Sequence, residues 1–110
     1  MNSRRKGKVG EREAAKAVKE HLGWEAFRSA QACGKHAADL LGVPEGVHVE
    51  VKFVARLGVT KFMEQALRDR KPEQVPVVVM RENHGEWLAM VQLKDLKILS
   101  EIITERTKHE

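Results

Sequence analysis

Residues 47–53 read Val-His-Val-Glu-Val-Lys-Phe, and this run constrains the chain more than any other. Val47, Val49, Val51 and Phe53 alternate with His48, Glu50 and Lys52. A period of two specifies a half-buried β-strand with two unlike faces, and a slip of one residue would turn the whole apolar set to water. One face is core. The other sets a carboxylate beside an ammonium within an otherwise strongly apolar strand. Same-face ion pairs are ordinary on sheets, so Glu50 and Lys52 acquire meaning only from what else reaches them.

Two further acids are candidates. Asp39 opens a second short apolar run, Asp39-Leu40-Leu41, separated from the strand by the turn Gly42-Val43-Pro44-Glu45-Gly46. Glu11 belongs to a helix that fits Val9 to Leu22, closed by Gly23. At 100° per residue, Ala14, Ala15, Val18 and Leu22 all fall within about 60° of Glu11, while Glu13 and Glu20 fall about 180–200° away. Glu11 therefore sits within the apolar stripe. An acid in a first helical turn also complements the helix dipole, but an inward carboxylate needs a cationic partner, either a metal or Lys52. Carboxylates and a lysine gathered at one sheet edge suit metal-dependent phosphodiester hydrolysis. Oxygen donors hold Mg²⁺, and a cation helps position the attacking water.

The remaining elements follow from periodicity and punctuation. A strand fits Glu25–Ser29, Asp39–Leu41 is a second, and Val47–Phe53 the third. A helix fits Thr60–Arg70, closed before Pro72. Strands over Val75–Met80 and Glu86–Gln92 are joined by the hairpin signal Asn83-His84-Gly85, and a last helix runs from Leu93 to Thr104. The order predicts one α/β domain over residues 1–110, with a central mixed five-stranded β-sheet flanked by helices and residues 1–7 as a mobile basic arm.

Charge narrows the partner. Residues 1–36 hold nine Lys and Arg against four Asp and Glu, and residues 37–110 hold eleven against twelve. All of the excess positive charge thus lies in the first third, as expected for a polyanion-binding surface and, more blandly, for a solubilising one. With no Tyr and few aromatics, base stacking on single strands is not the expected mode. No histidine pair has zinc spacing, and no Gly-rich nucleotide loop is present. Cys33 stands alone, which fits a reducing cytoplasm, and neither a membrane span nor a secretory signal is expected.

The combination resembles the PD-(D/E)xK nuclease superfamily, and within it the archaeal-type Holliday junction resolvases and their phage relatives. The resemblance rests on Arg5-Lys6-Gly7, Glu11-Arg12-Glu13, Arg28-Ser29-Ala30, Asp39-Leu40, Glu50-Val51-Lys52 and Gln65-Ala66, in order over residues 4–70. Ala38 stands where the motif's name has Pro, and Cys33-Gly34-Lys35-His36 where relatives often carry Gly-Ser-Lys. The resemblance implies that Asp39 and Glu50 are metal ligands completed by Glu11, and that Lys52 orients the nucleophile. It implies DNA contact by Arg12 and Arg28. Arg4, Arg5, Lys6, Lys8, Ser29, Lys35, His36 and Gln65 join the candidate DNA-binding set. The expected protein is a Mg²⁺-dependent endonuclease, with Mn²⁺ able to substitute, that cuts four-way junctions as a homodimer in the cytoplasm (the host's, if phage-encoded). Phe62, Met63, Ile98 and Ile102 are candidates for the dimer contact. His48 is expected to be a structural histidine on the Glu50 face, and Trp24 and Trp87 core or subunit-contact residues. A same-fold nuclease acting on other DNA, and a DNA-binding module without catalysis, are the alternatives.

Overall fold

The third and fourth strands, β3 (Val47–Val54) and β4 (Val75–Glu82), pair in parallel along their full length, from Val47 beside Val75 to Val54 beside Glu82. Parallel neighbours need a crossover, which α2 (Val59–Asp69) supplies. After β4 the chain reverses through a turn in which His84 takes a positive φ of 64°, and β5 (Leu88–Met90) returns antiparallel to β4. Pro76 lies ahead of the segment that β5 pairs, so its missing N–H leaves that ladder intact. This computed structural model describes residues 3–29, 38–54 and 58–108.

Helices cover the β3–β4 pair on both faces. Ala14, Ala15 and Val18 of α1 (Ser3–Leu22), with Trp24 and Leu99 of α3 (Leu96–Lys108), pack on Val47, Val49, Val51, Val75, Val77 and Val79. Met63 and Ala66 of α2 pack on Val78 and Met80 from the opposite side. Double coverage explains why β4 reads as a nearly continuous apolar run. It also means that the polar face of β3 is not a solvated face: His48 and Glu50 are each 1% exposed.

The expected five-stranded central sheet is not what forms. The described strands make a three-stranded sheet, β3-β4-β5, and a separate two-stranded one in which β1 (Phe27–Arg28) pairs antiparallel with β2 (Leu40–Leu41). The break has a local cause. The Asp39 N–H donates to the Val49 carbonyl at 3.0 Å, as a neighbouring strand would. The Val51 N–H, however, donates to Asp39 Oδ2 at 2.8 Å, where a ladder would offer a main-chain carbonyl. A carboxylate thus takes the place of the next rung.

Other differences are smaller. The first helix begins at Ser3, not Val9, and takes in residues 3–7 of the expected arm. Arg and Lys are good helix formers, and Arg4, Arg5, Lys6 and Lys8 extend a helix already anchored further on. A 3₁₀ turn, Leu93–Asp95, precedes α3. Met63, a candidate dimer contact, is buried beneath α2 and is not available at the surface. Ile102 packs partly against the core, and Ile98 remains half exposed. Among the described residues no helix is long and apolar enough to cross a membrane.

Two glycines fix the approach of these elements. A Cβ at Gly10 would lie 2.6 Å from the Cβ of Phe53, so only glycine lets α1 come this close to the end of β3. Gly42, at φ 81°, closes against the Glu25 carbonyl in the turn that leads from β2 to β3.

Candidate functional site

Three acids approach one edge of β3, two from elements and one from the segment just ahead of β2. Glu50 is carried by the strand, Asp39 lies alongside it just ahead of β2, and Glu11 is carried by α1 immediately after Gly10. Asp39 is fixed by both main chain and side chain: it donates its N–H to Val49, accepts the Val51 N–H on Oδ2, and accepts the Ser29 N–H on its own carbonyl at 3.0 Å. Glu11 Oε1 accepts a hydrogen bond from Arg28 Nε at 3.0 Å. Glu50 Oε1 lies 2.7 Å from His48 Nε2, two residues away on the same strand face.

The electrostatics tie the three acids together. Burial raises the Glu50 carboxyl above its ordinary value, the Asp39 charge raises it further, and the bond to His48 only partly offsets both. Burial also raises Glu11, again with a contribution from Asp39, against the opposing pull of Arg28. Asp39 is thus the shared neighbour of both glutamates. The fold places negative charge here and compensates it incompletely.

Lys52 completes the group. Its Nζ donates to Gln65 Oε1 on α2 at 2.6 Å and lies 5.5 Å from the centre of the Phe62 ring. Glutamine and aromatic face together hold the ammonium in position without neutralising it. At the far end of the strand, Phe53 stacks on Trp87 with ring centres 6.1 Å apart. Arg81 lies over both rings and binds Glu13 of α1 at 3.3 Å. That cluster fastens α1 to the sheet near Glu11.

The donor set suits a hard divalent cation. All three candidates are carboxylates, the ligands Mg²⁺ prefers, and two of them are raised first by burial and further by the Asp39 charge, which a cation would offset. Among the described residues no three His, Cys, Asp or Glu side chains form a ready-made cage. Glu11 gives one oxygen to Arg28 and Glu50 one to His48, and the Asp39 carboxyl lies within hydrogen-bonding reach of both glutamates.

A basic stripe flanks the acids. Lys8, Arg12, Lys16 and Lys19 are exposed on α1. At 100° per residue they cluster about 60–140° from Glu11, on a flank of the helix that carries no acid. Lys19 meets Glu25 at 3.0 Å, an exposed pair of little energetic weight. Arg4, Arg5 and Lys6 lie on the first turns of the same helix. Three residues of the expected DNA-binding set are engaged within the fold: Arg28 by Glu11, Gln65 by Lys52, and the buried Ser29 by Asp39. Lys35 and His36, with Cys33, lie outside the described residues.

Trp24 is a core residue, while Trp87 is partly buried on Phe53. His48 and Phe62 are contributors whose parts in the site the residue pattern did not assign. The available signal for His48 was its spacing of two from Glu50, which puts both side chains on one strand face. Comparison with family models, curated proteins and solved structures finds no match to this chain.

Proposed function

We propose that this chain is a Mg²⁺-dependent endonuclease acting on branched DNA, most simply a four-way junction, and that it works in the manner of the PD-(D/E)xK enzymes its motifs resemble. The observation that carries the reading is Asp39 set beside β3 as the common neighbour of Glu11 and Glu50, with Lys52 anchored two residues beyond Glu50.

Glu11, Asp39 and Glu50 would hold the cation. Bound there, Mg²⁺, or Mn²⁺ in its place, supplies Lewis-acid stabilisation of charge developing on the phosphate. The chain's own groups do the rest. The Val51 N–H keeps Asp39 Oδ2 in place and so fixes the direction of its other oxygen. Lys52, steadied by Gln65, orients the attacking water and offers a preorganised positive charge to the transition state. Lys8, Arg12 and Lys16 receive phosphates along the DNA backbone, which gives salt-sensitive binding with little sequence readout. In-line attack of this kind, as in the family resembled, leaves 5′-phosphates. Resolving a junction takes two symmetric cuts, for which a two-fold homodimer is the natural assembly.

The test is a panel of end-labelled DNAs (four-way, three-way, flap and linear duplex) at one salt concentration with Mg²⁺ or with EDTA. Junction cleavage is expected with Mg²⁺ alone. Asp39→Asn, which preserves an acceptor for Val51 N–H, is expected to bind the junction and fail to cut it. Preference for a flap or duplex would keep the chemistry and change the substrate. Binding without cleavage by the unaltered protein would favour a DNA-binding module.

A further inference from the structure

The His48–Glu50 pair stands out among the buried polar groups. Both side chains are almost wholly enclosed, at 1% and 2% exposure, on the sheet face where Val78, the neighbour of Glu50, meets α2. Water has little access here, so protein groups satisfy Glu50: His48 on Oε1, with the Asp39 carboxyl also within hydrogen-bonding reach. With Glu50 ionised, the 2.7 Å bond requires His48 Nε2 to carry the hydrogen and donate it. A donor two residues away on the same strand has little freedom. It shares the backbone geometry of the group it holds, and Pro76 lies opposite it on β4. The bond occupies Oε1 and so decides which oxygen of Glu50 is presented toward Asp39. A core that needed only filling would have placed an apolar residue here, as at the neighbouring Val47 and Val49.

We infer that His48 is a positioning residue: its Nε2–H holds Glu50 Oε1 so that the other carboxylate oxygen faces Asp39 and a shared divalent cation. The inference rests on the proposed function, since it gives Glu50 a ligand's role. Hydrogen bonds of this kind to metal-ligating groups typically change metal affinity by about 10–100-fold when removed.

The experiment is titration of the full chain with Mn²⁺, with free ion followed by electron paramagnetic resonance and no DNA present. The unaltered protein is expected to bind Mn²⁺. His48→Leu is expected to bind it at least about 10-fold more weakly, and His48→Gln, whose amide keeps a donor, to recover most of the loss. A merely structural histidine would weaken binding in any background. A positioning one acts only through its carboxylate, so in a Glu50→Gln chain His48→Leu is expected to leave the residual affinity unchanged. Should His48→Leu not fold, His48→Asn, with a shorter reach, takes its place in both backgrounds. Equal Mn²⁺ affinity with and without the donor, or an equal loss in the Glu50→Gln background, overturns the inference and leaves the nuclease reading standing. Absence of Mn²⁺ binding by the unaltered protein overturns both.

Discussion

Gly10 offers a quantitative handle on how the site is held. An alanine Cβ there would stand 2.6 Å from the Cβ of Phe53, and ordinary contact begins near 3.4 Å, so α1 and β3 must part by about 0.8 Å. The neighbour cannot simply swing away, because the Phe53 ring is stacked on Trp87 and lies under Arg81. Overpacking of this kind costs about 1–3 kcal/mol. Glycine in a helix interior is itself unfavourable by roughly 0.5–1 kcal/mol relative to alanine, which offsets part of that cost. Gly7 on the same helix isolates the contact term, because a Cβ there would meet nothing within 4 Å. Gly7→Ala is expected to stabilise by the propensity term alone, and Gly10→Ala to lie about 1–3 kcal/mol below it, or roughly 4–12 °C in unfolding temperature at about 4 °C per kcal/mol. Because Glu11 follows Gly10 directly, the shift also displaces a candidate ligand, and misplacement on the order of 1 Å can cost about 100-fold in rate. Thermal unfolding by circular dichroism and single-turnover cleavage of a junction measure the two effects. If Gly10→Ala gains as much stability as Gly7→Ala, the close approach of α1 to Phe53 is refuted, and with it the placement of Glu11.

Further outcomes are expected from the same geometry. Glu11 and Glu50 have raised carboxyl values in the fold, so their protonation contributes stability that is fully present below the unfolded value near 4.5 and is lost as the pH rises through the folded values. Asp39→Asn removes the charge that helps raise both. It should therefore unfold at a higher temperature than the parent at neutral pH, with the gap closing as the pH falls toward 4.5, and an unchanged gap would break the link between the acids. Mg²⁺ should raise the unfolding temperature of the parent and leave that of Asp39→Asn nearly unmoved, read by calorimetry over a Mg²⁺ series. Lys16→Gln should weaken junction binding evenly across sequences and flatten the dependence of log K on log salt by about one unit; an unaltered slope would remove the α1 stripe from the DNA path.

Much of the fold was legible because β3 and β4 announce themselves. Alternation over Val47–Phe53 and the apolar run from Val75 onward give strands close to those observed, and Pro72 and Gly23 mark helix ends near where they fall. The joining of strands into sheets was not legible. Whether β2 continues the main sheet depends on one carboxylate taking the place of a main-chain acceptor at Val51, and residue periodicity carries no information about that. Glu11 could be placed on the inward stripe by angle alone, yet its bond to Arg28 joins residues 17 apart through tertiary packing. Alternation also gave β3 one wet face. Burial of His48 and Glu50 became evident only once α2 closed over that face, because a strand's period reports two faces and not what covers them.

The claim on which the account depends is that Glu11, Asp39 and Glu50 share one ion. Crystals grown with Mn²⁺ and measured at the manganese absorption edge test it most directly. The expected result is an anomalous peak bounded by those three carboxylates, with Lys52 still joined to Gln65. Manganese found only elsewhere on the molecule, with the three carboxylates bound to nothing but protein, would contradict it.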